Sequence, residues 1–303
     1  MSDILRGLAS AGWPFLSAWL FPSAVGVGAF ALLVFPSIEH LPVARQITAL
    51  STTESALVMA FIAFGLAILL SAISTPLYRV LEGYLLWPAR WREARIQKQR
   101  KRRQNTQERA DAAPEGWQQA LIYEELHRFP VSDVEVVATR FGNALRASET
   151  YAADRYSLDS QDFWSELYAS IPETLRTEYE QARAAIDFFV NLFYLAGAFG
   201  TLTLIIAFGT PTFSLLPAGF VAFALMPLSY RLATASTSYF NDTVRAIVNV
   251  GRIGLAANLG LRMPASLGLE REMWETIHAF TFYPYDEKWA NRLNKFRAEN
   301  PKP

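Results

Sequence analysis

Cysteine is absent from this 303-residue chain. Disulfides, zinc–thiolate sites, iron–sulfur clusters and cysteine nucleophiles are therefore excluded, while the redox compartment stays open. Histidine is scarce. His40, His127 and His278 are the only three, and no two lie at metal-ligand spacing. Net charge is zero, with 28 Lys and Arg against 28 Asp and Glu. Enzymatic signatures are missing too: there is no P-loop, GxSxG, HExxH or post-strand GxGxxG motif.

What the chain has is apolar residues, 51% of the total, gathered in four blocks. These run from about Leu16 to Phe35, Ser55 to Ser74, Phe188 to Gly209 and Thr212 to Tyr230, and none contains Asp, Glu, Lys, Arg or His. Each is about 20 residues, the length that crosses about 30 Å of hydrocarbon. Buried core helices of this length usually carry a polar stripe, so membrane spanning is the better reading. A signal peptide is the competing reading of the first block. Asp3 accompanies Arg6 ahead of it, however, and no small-x-small cleavage site follows Phe35.

Orientation follows from Lys and Arg. Only Arg45 lies between the first two spans, and no charge lies between the last two. Every other basic residue falls in the N-terminus, the central segment or the C-terminal tail. The positive-inside rule then puts these three in the cytoplasm and the protein in the inner membrane. The organisation expected is all-α: a transmembrane hairpin over residues 1–75, a cytoplasmic helical domain over 76–186, a second hairpin over 187–230 and cytoplasmic helices over 231–303.

The polar parts carry their own signals. After Pro76, the run YRVLEGYLLWP offers Tyr78, Tyr84 and Trp87, followed by Trp91, as interfacial anchors, and predicts a helix over 76–88 at the bilayer surface. Arg90, Arg92, Arg95, Lys98, Arg100, Lys101, Arg102 and Arg103 follow, with only Glu93 against them. Contact with lipid headgroups, fixing topology, is the simplest role for such a run. An electrostatic lipid sensor is a sharper role. Nucleic acid is an unlikely partner, since no recognition motif accompanies the charges. Residues 104–114 read as a flexible joint.

Beyond it, Trp117, Leu121, Ile122, Leu126 and Phe129 share a helical face that Pro130 ends. Ser132 and Glu135 resemble a capping box for a helix from about Asp133 to Tyr151. Trp164, Leu167, Tyr168 and Ile171 are expected to dock on it. No breaker occurs from Pro172 to Gly197, which predicts one helix of about 37 residues running through span three, some 55 Å long with about 20 Å in the cytoplasm. A final helix is expected over about Leu269–Phe280, with a frayed tail after Pro284.

Candidate chemistry is thin. His127 beside Glu124 and Glu125, and His278 near Glu275, read as solvated helix faces. Asp154, Asp159 and Asp162 near Arg155 read as loop capping rather than a metal site, which needs further oxygen ligands. Asn241 and Asp242 read as structural. No catalytic residue, cofactor or metal ligand is expected. The spans hold only Ser, Thr and Asn191 as polar groups, which argues against ion-coupled transport but leaves an oligomeric pore open. Gly26 and Gly28 in span one, and Gly197 and Gly200 in span three, allow close helix packing within or between subunits.

The runs RFGNALRASETYAADRYSLDSQDFW (Arg140–Trp164), YRVLEGYLL and VRAIVNVGRIGLAANLGLRMPASLGLEREMW (Val244–Trp274) resemble a pattern in a broad set of bacterial multi-pass membrane proteins with no assigned activity. They cover about a third of the chain. The resemblance implies a bacterial origin and a two-plus-two layout, and carries over no site residue. The chain departs from that pattern at Asn249 and Gly251, where the set is more acidic and aromatic. The function expected is a non-enzymatic, oligomeric inner-membrane protein whose cytoplasmic domain acts on the bilayer, in the leading form as a pore or membrane-perturbing effector. The alternative is a scaffold that docks a soluble partner. Membrane lipids and further copies of the chain are the expected partners.

Overall fold

The computed structural model describes residues 12–210 and 212–297, with backbone only at residue 43. The N-terminal segment with Asp3 and Arg6, Pro211 between spans three and four, and the last six residues lie outside the described part. The fold is all-α, with no strand among the described residues, and it divides into two compact units. Unit 1 comprises Met1–Leu81 and Glu180–Ser236, and unit 2 comprises Glu82–Tyr179 and Thr237–Pro303.

Unit 1 holds the apolar helices. Helix α1 spans Gly12–Ile38, and a short α2 (Pro42–Thr48) leads to α3 (Thr52–Ala72). α1 widens to π-helical turns at Leu16–Leu20 and Phe30–Val34, each shortly before a proline, Pro22 and Pro36. Proline has no N–H for the carbonyl four residues back, and its ring crowds that carbonyl, so the turn opens. α3 starts on the capping box Ser51/Glu54, in which Glu54 N donates to Ser51 Oγ (3.3 Å) and Ser51 N donates to Glu54 Oε2 (2.8 Å). α4 (Ser74–Glu82) follows.

Two longer helices contribute to both units. α9 (Glu173–Gly209) has 37 residues, as the missing breaker foretold. α10 (Leu216–Asn258) has 43 and carries Pro227 in its interior. In unit 1 they pack closely because Gly200 has no Cβ. A methyl there would sit 3.1 Å from the Phe223 ring and 3.2 Å from Gly219 O. Ala18, Trp19, Ala67, Leu70 and Ala184 form the small core of this unit.

In unit 2 several expectations are corrected. The interfacial helix ends at Glu82 rather than residue 88, because Gly83 (φ +95°) and Leu86 (φ 61°) turn the chain and Pro88 restarts it. Residues 104–112 are not a joint. Helix α5 (Ala89–Ala112) continues through them, and its Thr106 and Ala110 are buried. Gln, Arg, Glu and Ala are good helix formers, and Gln119 of α6 (Trp117–Leu126) donates to Ala110 O. The expected helix from Asp133 is only a 3-10 turn, Asp133–Glu135, leaving Val134 82% exposed. Asn143 explains the delay. Its side chain accepts from Val137 N and donates to the carbonyls of Val137 and Thr139, satisfying extended backbone that a helix would have consumed. α7 (Arg140–Tyr156) then begins behind Thr139, whose Oγ1 caps Gly142 N at 2.9 Å.

The core of unit 2 gathers Trp274, Met273, Ile247, Val248, Leu255, Leu158 and Leu167. Leu167 comes from α8 (Trp164–Ala169), whose Trp164 and Tyr168 pack against Tyr179 of α9 and whose Leu167 lies beside Gly251 of α10. Trp274 lies on α11 (Leu267–Phe282). The tail is not frayed over 287–296. Asp286 caps α12 (Glu287–Asn294), and Leu293 and Phe296 enter the core.

Candidate functional site

Unit 1 has a polar line on one face of α9. Asn191, fully buried, donates through Nδ2 to Ala18 O and Trp19 O, both at 3.2 Å. Ala18 is the residue four before Pro22, so its carbonyl has lost its helical donor, and Asn191 replaces it. One turn earlier, the buried Asp187 accepts from Tyr78 Oη at 2.5 Å, with Arg183 Nε 3.9 Å away. One turn later, Tyr194 Oη donates to Leu77 O at 2.7 Å. Tyr78, half-buried, thus has a polar partner on α9 in addition to the interfacial role its sequence position suggests. Asp187 was missed because it sits one residue outside the apolar block. An apolar pocket of about 410 Å³ lies beside Gly26, Phe30, Met59, Leu66, Leu195 and Phe199.

The four packing glycines differ. Gly197 meets Met226 Cε at 3.0 Å and Gly200 meets Phe223, so both serve contacts within one chain. Gly26 has only Leu195 at 3.8 Å, and nothing lies within 4 Å of Gly28.

In unit 2 the basic run divides. Arg100 Nε donates to Asp133 O at 3.0 Å. Arg103 binds Pro130 O (3.0 Å), Asp133 Oδ1 (2.7 Å) and Val131 O. Arg102 pairs with Glu125 at 2.5 Å and covers the Phe129 ring. These three hold α5 against α6 and the 130–135 loop. Arg90, Arg92, Arg95, Lys98 and Lys101 are exposed. Trp91 is 70% exposed, Tyr84 is exposed and Trp87 is half-buried. Burial would raise the Glu125 carboxyl, but the hydrogen bond and charge of Arg102, with the charges of Arg109 and Arg140, hold it below the usual carboxylate value.

A second polar centre surrounds Asn249. Its Oδ1 accepts from Tyr151 Oη (3.1 Å) and Tyr156 Oη (2.7 Å), and its carbonyl accepts from Arg252. Arg252 Nε lies 2.8 Å from Glu270 Oε1 and its guanidinium 4.3 Å from the Tyr156 ring centroid. Burial pushes the Tyr156 phenol up, and the Arg252 charge only partly offsets it. Each member has a structural partner. Asn241 likewise donates to Ala144 O at 2.9 Å, a packing role.

Asp159, Asp162 and His278 come together, each offering a ligand atom within 4.8 Å of the others. Asp159 Oδ1 accepts from the backbone of Gln161 and Asp162, the expected loop capping. His278 Nδ1 stands 3.4 Å from Asp162 Oδ2. Two carboxylates and an imidazole are a possible donor set for a divalent transition metal. His278 was not linked to these aspartates from sequence because they lie on distant segments. Asp154 contributes only its carbonyl, to Arg271.

An all-α chain with four helices long and apolar enough to cross a bilayer defines a multi-pass membrane protein by length and composition. No family model matches the chain, and no curated protein or solved structure is significantly similar to it.

Proposed function

We propose that the chain is a non-enzymatic, oligomeric inner-membrane protein in which unit 2 is the cytoplasmic input and unit 1 the part that acts on the bilayer, as a pore or membrane-perturbing effector. One observation carries the reading. The four apolar helices bury only 33%, 17%, 22% and 22% of their most apolar windows within the chain. Leu32, Phe61, Ile205, Phe208 and Phe220 point outward, each more than half exposed. So much apolar surface needs lipid or further copies of the chain to cover it. Helices α9 and α10 belong to both units, which gives an event in unit 2 a continuous path.

In this reading the two apolar pairs are membrane hairpins and both termini face the cytoplasm. Tyr84, Trp87, Trp91 and the exposed Arg90, Arg92, Arg95, Lys98 and Lys101 contact lipid headgroups. Asp187 does not revive coupled transport, since Tyr78 and Arg183 already occupy it.

Dye permeability after induced expression tests the effector, with native mass spectrometry for the oligomer. Membranes that stay sealed under all conditions, or a strict monomer, sink it. The missing cysteines make topology simple to probe: Glu108→Cys should label only from the cytoplasmic side and Ser37→Cys only from the other. The scaffold is the second reading, favoured by α6. No residue of α6 is buried, and Trp117 (73% exposed) and Leu121 (57%) lie one turn apart on one face. A stable complex with a soluble protein, lost in Trp117→Ser with Leu121→Ser, would favour it.

A further inference from the structure

The basic run contains a concave site that its linear charge pattern does not reveal. Arg95, Lys98, Gln99, Arg102 and Asn105 lie on one face of α5 at helical spacing. With Lys101 and Arg140 they line a pocket of about 340 Å³. That volume is at the lower end for small-molecule sites. No acidic side chain lines it. Glu125, whose charge reaches Arg140, is already bound by Arg102 and Arg109. Arg95, Lys98, Lys101 and Arg140 form no ion pair among the described residues. Arg140 is the first residue of α7, so the positive end of that helix adds to the same field.

Gathering five cations in one concavity costs repulsion. Glu125 neutralises Arg102 and its charge also reaches Arg140, but Arg95, Lys98 and Lys101 have no ion-pair partner among the described residues, so the concavity keeps net positive charge for an anion. A second observation is independent of charge. Gln99 is only 6% exposed, lines the pocket, and its Oε1 has no hydrogen-bond partner among the described residues. A buried amide oxygen without a donor is costly. An anion that carries no proton, such as sulfate or the dianion of a phosphate ester, cannot satisfy it. A ligand that carries a hydroxyl or amine next to its phosphate satisfies both halves of the site.

We propose that this pocket binds a phosphate ester bearing a neighbouring hydroxyl or amine. Lys98, Arg95 and Arg140 hold the phosphate by charge-assisted hydrogen bonds, and Gln99 Oε1 accepts from the ligand's donor. The same chemistry has two sources, a glycerol-type phospholipid headgroup or a soluble phosphorylated metabolite. The site itself does not depend on membrane perturbation. What rests on the proposed function is only that filling the pocket is the signal unit 2 receives.

The test uses the full chain in detergent, with glycerol 3-phosphate and sulfate as soluble probes followed by calorimetry. The lipid arm uses phosphatidylcholine nanodiscs with and without phosphatidylglycerol, followed by protection of Lys98 from amine labelling. Saturable binding or lipid-dependent protection in either arm is expected, and the arm that responds identifies the source. Lys98→Gln with Arg140→Gln, both exposed side chains, should weaken binding at least about tenfold. Lys288→Gln with Arg292→Gln, exposed on α12 and outside the pocket, should leave it unchanged. Gln99→Met should remove the preference for glycerol 3-phosphate over sulfate while sulfate still binds. Thermal unfolding of each variant checks that the fold survives. No saturable binding in either arm overturns the proposal, as does an equal loss from the Lys288/Arg292 pair, which would mark general charge attraction. Binding without any dye leakage on expression supports the pocket and counts against the effector reading, so the two failures are separable.

Discussion

Glu270→Gln keeps the shape of the side chain and removes the charge that faces Arg252. The pair is 2.8 Å apart, with side chains 18% and 8% exposed. Glu270 also accepts from the Trp274 indole N–H at 3.4 Å. Removing one partner of a buried ion pair typically costs about 3–5 kcal/mol, because the other charge is left without compensation. Arg252 would keep the Tyr156 ring and the Asn249 carbonyl, and Gln keeps an acceptor. These offset part of the loss, so the expected cost is about 2–4 kcal/mol. Arg252→Met combined with Glu270→Leu removes both charges and should cost less than Glu270→Gln alone, since apolar isosteres often replace buried pairs without penalty. Denaturant unfolding in detergent measures the cost. Hydrogen exchange of α11 peptides localises it to unit 2, because a chain of two units need not unfold in one step. A Glu270→Gln variant within about 0.5 kcal/mol of the parent would refute the reasoning, as would a double variant whose cost is the sum of the two singles.

Three further outcomes follow from particular contacts. Asn191→Leu should cost about 1–2 kcal/mol, since hydrogen bonds between membrane helices are individually modest, and it should raise hydrogen exchange around Pro22; an unchanged exchange pattern would show that Ala18 O finds another donor. Gly142→Ala should destabilise unit 2 by about 2–4 kcal/mol through overpacking and the loss of the Thr139–Glu82 hydrogen bond, because a methyl would lie 2.5 Å from Glu82 O. Gly28→Ala, with nothing within 4 Å, serves as its neutral control in the same melting experiment. Glu125 titrates lower in the folded chain than in the unfolded one, so its contribution is full above the ordinary carboxylate value and is lost as pH falls through the lower folded value. Exchange protection of α5 and α6 should therefore fall on acidification, and Glu125→Gln should flatten that dependence.

How much was legible in the sequence depends on the range of the physics involved. The apolar blocks were legible because freedom from charge over the width of a bilayer is a local property of the chain. The extent of α9 was legible because no breaker interrupts it. The burial of Leu167 and Ile171 also followed from local spacing, whereas the helix at 164–169 lay in a stretch that reads as a loop. The continuation of α5 through residues 104–112 was misread because a polar surface helix and a polar linker have the same composition. Their difference lies in Thr106 and Ala110, which are buried against parts of unit 2 that only folding supplies. The late start of α7 was misread for a related reason: Ser132 does cap a turn, but the Asn143 side chain competes for the backbone that would have extended it.

The sequence alone therefore determined an all-α chain, four apolar segments of membrane length, the absence of cysteine chemistry and the segregation of basic residues. Tertiary structure decided which polar groups meet. Pro22 announces a missing donor, but only packing brings Asn191 to the carbonyl it leaves. Asp159 and Asp162 are neighbours in sequence, while His278 reaches them from another helix. Lys98 and Gln99 stand in a row of charges that reads as one exposed face, yet α7 adds Arg140 and turns part of that face into a cavity. Helical periodicity fixes what shares a face within one segment; which segments face each other is set by long-range burial, to which no single stretch of sequence has access.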